Sequence, residues 1–162
     1  MYKYIQHYPP EIQQQVTKLI EQDKLGVYLE NKYPNNHQIQ TDSLLYDYVM
    51  EIKNQYMKKS APISKVVYDK NIKDAANSLG THTYRNRVQG NKIKSKNEIR
   101  ISTFFKQTPL AMLNMIVVHE LAHVREKEHN KAFYQLCQHM LADYHQLELD
   151  TRLFLLCSDM KS

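Results

Sequence analysis

Apolar positions along this chain follow two rhythms. In the first third they recur at helical spacing. Ile12, Val16, Leu19 and Ile20 sit at i, i+4, i+7 and i+8 behind Pro9-Pro10-Glu11, which predicts a helix opened by proline. That helix is expected to run on raggedly past Gly26 and stop before Pro34, since the residue preceding a proline disfavours helix. After an Asn35-Asn36-His37 loop, Thr41 or Asp42 caps a second helix with Leu44, Leu45, Tyr48, Val49, Ile52 and Tyr56 on one stripe. Past Ala61-Pro62 the period shortens. Ile63 to Tyr68, Thr81 to Val88 and Glu98 to Phe104 read as strands, being alternating or rich in β-branched and aromatic residues. Asn71 to Leu79 is a short helix or irregular turn, and Gly90-Asn91 offers a tight turn. Helical spacing then returns. Thr108 as N-cap and Pro109 at the first helical position open a strongly apolar helix. Asn130 caps another, carrying Phe133, Leu136, Cys137, Met140 and Leu141, and a last apolar segment runs from Leu147 to Leu156. The expected class is α+β, a small and mainly antiparallel sheet packed on a central helix, with helices at both ends. Length supports a single domain over residues 1–162, with a helical part at 1–60 and a core at 61–157.

The apolar helix carries the chemistry. His119-Glu120-Leu121-Ala122-His123 has the H-E-x-x-H spacing, which sets two imidazoles about 40° apart around the helix axis and one turn apart along it. Both can reach one metal ion. Glu120 flanks the first ligand, where it can accept a proton from an attacking water. A third imidazole from His129 completes three protein ligands and leaves one position open, the arrangement of a catalytic zinc site. If the helix ran straight on, His129 would lie about 9 Å further along the axis and off the ligand face. The helix must therefore stop or bend between Val124 and Glu128. Metzincins share the ligand spacing, but Glu126 stands where they have the turn-permitting glycine, so the turn must be made with ordinary residues.

His119-Glu120-Leu121-Ala122-His123 followed by Glu128-His129-Asn130-Lys131-Ala132-Phe133-Tyr134 resembles the YgjP-like metallopeptidase domain, a group of small zinc hydrolases of zincin-like fold. The similarity runs from about Ser64 to Arg152, through Gly80-Thr81-His82-Thr83-Tyr84-Arg85, Glu98 to Ser102, and Asp143-Tyr144-His145-Gln146-Leu147-Glu148. It implies a zincin-like core, zinc on His119, His123 and His129, and Glu120 as catalytic base. It also implies a sheet edge beside the metal, where a peptide can add as a strand. Two departures bear on substrate preference. Tyr84-Arg85-Asn86-Arg87 stands where better-known members carry Trp-Gly-Ser-Cys, and Phe133-Tyr134 stands where many carry Phe-Trp. The expected function is a zinc-dependent metallopeptidase with one Zn2+ per chain and a peptide or protein substrate. A zinc hydrolase of non-peptide amides ranks lower. His145, Tyr144 and Tyr134 are candidate oxyanion donors, with packing or surface roles as the alternative, and His139 and His82 rank below them. Asp143, Glu126 and Glu148 are candidate acceptors for the outer ring nitrogens of the ligands.

Charge adds a second reading. The net charge is +5, and residues 82–108 hold Arg85, Arg87, Lys92, Lys94, Lys96, Arg100 and Lys106 against Glu98 alone. With Tyr84, Phe104 and Phe105 nearby, that strip could track a phosphate backbone, alone or as part of a protease acting on DNA-bound proteins like the SprT-like group. The alternative is a solvated strand face. The N-terminal residues show no signal-peptide pattern and no apolar run approaches membrane-span length, so a cytoplasmic protein without membrane contact is expected. Cys137 and Cys157 are too few for a disulfide framework, and Cys137 reads as a reduced core thiol. His7 and His37 read as surface histidines.

Overall fold

The computed structural model describes residues 3–75 and 97–161. The strand expected over 81–88, the Gly90-Asn91 turn, His82, residues 76–79 and the basic residues Arg85, Arg87, Lys92, Lys94 and Lys96 lie outside the described residues. The first helix, α1 (Pro10–Glu21), carries proline at its first position, where the missing N–H leaves no intrahelical bond unmade. It does not run on past Gly26. Asp23 adopts a φ of 56°, and the Asp23 and Lys24 amides close back on the carbonyls of Ile20 at 3.0 Å and Leu19 at 2.7 Å. This is a Schellman stop with aspartate in the left-handed position. The chain restarts at once as α2 (Leu25–Lys32). Thr41 caps α3 (Asp42–Tyr56), its hydroxyl accepting from the Leu44 amide at 3.1 Å.

The sheet corrects the expected antiparallel arrangement. Among the described residues, β1 (Lys65–Asp69) and β2 (Glu98–Ser102) pair side by side in parallel, with Val66 opposite Ile99 and Tyr68 opposite Ile101. Val66, Tyr68, Ile99 and Ile101, alternate residues of the two strands, make the buried face of the pair. Alternation fixes the face of a strand and says nothing of its direction, which is why the pairing sense was misjudged. On the other face Arg100 bridges Asp69 at 3.3 Å and Glu98 at 3.1 Å. The second strand is shorter than expected because the Ser102 hydroxyl accepts from the Phe104 amide at 3.2 Å. That bond starts a 3-10 turn over Thr103–Gln107.

The central helix α4 (Leu110–Arg125) is capped by Pro109 rather than Thr108. The buried Thr108 hydroxyl donates instead to the Phe105 and Pro109 carbonyls at 3.1 and 3.3 Å. Every residue of α4 from Met115 to His123 is buried, as suits a helix that is apolar all round and sits inside the molecule. It packs against β2, α3, α5 (Lys131–Met140) and α6 (Tyr144–Lys161). His37 is a second correction. It is buried, its Nδ1 accepts from the Ile39 amide at 3.0 Å, and its Nε2 therefore donates to the Phe105 carbonyl at 2.7 Å. The loop it belongs to is thereby pinned to the approach of α4. No described helix is long and apolar enough to cross a membrane.

Candidate metal centre

The structure brings His119, His123 and His129 together, with their metal-ligating atoms all within 4.8 Å of one another. The first two come from one face of α4. The third arrives because α4 ends at Arg125, Glu126 turns extended, and a short glycine-free segment carries the chain back. The turn is closed by the Glu126 amide on the Ala122 carbonyl at 2.8 Å and by Asn130 on the Glu128 carbonyl at 2.8 Å. Asn130 then caps α5, accepting from the Phe133 amide at 2.9 Å. Ordinary residues make the turn, as the sequence requires.

Hydrogen bonds on the outer nitrogens orient the rings of His119 and His123. His123 Nδ1 lies 3.0 Å from the Glu126 carbonyl, which can only accept, so this nitrogen carries the proton. His119 Nδ1 lies 2.7 Å from the Tyr144 hydroxyl, which donates in turn to Glu148 Oε2 at 3.0 Å. Burial, and then the charge of Glu148, raise the Tyr144 phenol well above its ordinary pKa, so it stays protonated and remains a donor. With the Tyr144 proton directed at Glu148, the phenol oxygen is left to accept from His119 Nδ1, and in that order both rings direct an unprotonated Nε2 inward. His123 Nε2 sits 3.2 Å from His119 Nε2 and 2.9 Å from His129 Nε2. Tetrahedral zinc with nitrogens at 2.0–2.1 Å would hold them about 3.3 Å apart. The donor set thus fits a divalent cation in chemistry and in spacing.

Phe133 closes the inner side. Its ring lies 5.0, 4.6 and 4.9 Å from those of His119, His123 and His129, and it is fully buried. Glu120 is buried beside His119 on α4. Of the oxyanion candidates, Tyr144 is a ring-orienting group instead, since its hydroxyl is spent on His119 and Glu148. Tyr134 and His145 pack on each other at 5.3 Å, with the Tyr134 ring 6.4 Å from His129. Burial, with Glu148 nearby, pushes the Tyr134 phenol up to about 12, which keeps it a donor at neutral pH. His139 packs edge-on against Tyr56 of α3. Among the outer acceptors proposed from sequence, Glu148 serves through Tyr144, and Glu126 serves through its carbonyl rather than its carboxylate. The i, i+4 spacing of Tyr144 and Glu148 was the available signal for the first. The fit of Phe133 to all three rings had no signal beyond its place in a core stripe. Burial raises the Cys137 thiol, consistent with an inert core group.

Comparison with known proteins agrees with this geometry. The chain is 53% identical over 152 residues to UTP pyrophosphatase of Escherichia coli (strain K12), a match that covers 94% of this chain and 91% of that protein. No solved structure matches. The family described as YgjP-like, metallopeptidase domain, matches residues 3–152. With that family goes metal-dependent hydrolysis, and a cluster of three imidazoles suited to a divalent ion stands inside the matched region. The chain belongs to the YgjP-like metallopeptidase domain family.

Proposed function

We propose that this protein is a zinc-dependent hydrolase of nucleoside triphosphates, with UTP the first substrate to test. The observation that carries the substrate is the identity of 53% across 94% of the chain to a protein named UTP pyrophosphatase. In this reading His119, His123 and His129 hold one Zn2+ and Glu120 is the general base. A divalent ion in that site supplies Lewis acidity, bringing the pKa of a water down to about 7. Glu120 takes a proton from the attacking water as its oxygen bonds to the α-phosphorus and the α–β anhydride P–O bond breaks, giving the nucleoside monophosphate and pyrophosphate, to whose leaving oxygen Glu120 returns the proton. In this reading the Tyr134 phenol, whose ring lies 6.4 Å from that of His129, is the donor to a substrate oxygen. The basic residues of 82–108 suit a polyanion.

Peptide-bond hydrolysis is the second reading, favoured by the H-E-x-x-H helix and the same Glu120 chemistry at a carbonyl carbon. One experiment separates the two. Zinc-loaded protein is offered UTP, the other nucleoside triphosphates and unfolded casein, and pyrophosphate, phosphate and new peptide ends are measured. Pyrophosphate release from UTP, lost in Glu120→Gln, is the expected result. Casein cleavage without triphosphate turnover would replace this reading with the peptidase one. Retention on DNA or RNA that falls steeply with salt would instead give the basic segment to nucleic acid.

A further inference from the structure

Behind His119 a line of polar groups leads inward from the metal centre. The Tyr144 hydroxyl is 2.7 Å from His119 Nδ1 and 3.0 Å from Glu148 Oε2, and Arg152 Nη2 lies 4.0 Å from Glu148 Oε1. All four side chains are buried, and Tyr144, Glu148 and Arg152 rise in single turns along α6. Arg152 also reaches the N-terminal segment, with Nη1 3.5 Å from the Tyr4 carbonyl and its guanidinium 5.9 Å from the Tyr8 ring centre.

Such a line has two proton orders. In one, a charged Glu148 accepts from Tyr144, whose oxygen accepts from His119 Nδ1, and His119 Nε2 is left as a base. In the other, a neutral Glu148 donates to Tyr144, Tyr144 donates to His119 Nδ1, and the imidazole proton moves to Nε2, where it points at the other two rings. The second order blocks metal binding without moving an atom of the backbone. Burial favours a neutral Glu148, while Arg152 and the Tyr144 hydroxyl oppose it. A guanidinium keeps its charge throughout the pH range in which proteins stay folded.

We propose that Arg152 is a positioning residue for the metal centre. It holds Glu148 as an acceptor, fixes the proton order through Tyr144, and so keeps His119 presenting Nε2 to the ion. The N-terminal segment, by seating Arg152, belongs to the same device. This rests on the three histidines being metal ligands.

The test uses Glu148→Gln, Arg152→Met, Arg152→Lys and Tyr144→Phe in the full chain. Zinc affinity is read by competition with a chromophoric chelator, and the His119 tautomer by long-range proton–nitrogen NMR on metal-free protein. Glu148→Gln keeps the shape but can donate to Tyr144, so zinc should bind about 10–100-fold more weakly and His119 should move toward the Nε2–H form. Tyr144→Phe should weaken zinc to a similar degree, and Arg152→Lys should recover most of what Arg152→Met loses. Should Arg152→Met fail to fold, the near-isosteric Glu148→Gln carries the test alone. Native-like spectra with zinc affinity within about 2-fold of wild type in Glu148→Gln would overturn the proposal. If the wild type takes up no zinc, the metal assignment fails by itself. An Nε2–H His119 in the metal-free wild type would then overturn this inference too.

Discussion

Two buried polar clusters lie on opposite faces of the same problem. At Asp150, a fully buried carboxylate accepts from Tyr28 at 2.9 Å, Lys32 at 2.8 Å, Gln146 at 3.1 Å and the Tyr33 hydroxyl. Donors surround an acceptor-only group, so the cluster is complete from within, and its effect is to lock α2 onto α6. At the three histidines, bases face bases at 3.2 and 2.9 Å. With His119 and His123 protonated on Nδ1, the His119–His123 contact has no proton to share, and a cation among the three rings would satisfy it. Internal complementarity marks a structural cluster. Complementarity supplied from outside marks a binding site.

The sharpest way to break the contrast is to remove His123, which stands between the other two rings. His123→Ala is expected to lose stoichiometric metal, seen by elemental analysis, and to bring hydrolysis to background. Glu120→Gln should keep the metal and lose about 10²–10⁴-fold in turnover, the usual contribution of a general base. Turnover within a few fold of wild type would remove Glu120 from the mechanism. At the other cluster the effect should invert. Asp150→Ala leaves several donors around an empty acceptor and should cost about 3 kcal/mol in denaturant unfolding, with zinc affinity unchanged. A change in metal affinity there would mean the clusters are not independent.

The smallest effect concerns alkaline pH. Burial raises the Tyr28 and Tyr33 phenols, with Asp150 adding to it, and the hydrogen bond to Asp150 raises Lys32. Groups whose folded pKa lies above the unfolded one contribute stability that is intact below the unfolded value and lost as pH rises. The Asp150 cluster should therefore weaken above about pH 10. Thermal unfolding followed from pH 8 upward should show the decline, and Asp150→Asn should flatten it.

What could be read from sequence differs between the same regions. The histidines were legible because helix geometry converts a spacing of four into one face, and because the distance to His129 demanded a turn. Thr41 and Asn130 were legible as caps for the same local reason. The Asp150 cluster was not, since its tyrosines and lysine come from more than a hundred residues away and no spacing announces them. His37 misled for that reason too, because its burial depends on a distant carbonyl, that of Phe105, accepting from its ring N–H. Strand direction was lost because alternation is blind to it. Asp23 ended α1 through a backbone conformation that leaves no mark in the apolar pattern.

The turn after α4 also bears on how fast an ion leaves. His123 is held by the Glu126 carbonyl, and the backbone that supplies this carbonyl is the backbone that returns His129. Helix ends open more readily than the rest of a fold. When this end frays, the His123 ring loses its orientation and His129 loses its position together. For an ion held in the proposed site, residence time is expected to follow the opening of this single turn rather than global unfolding, so a chelator should strip the protein while it stays folded.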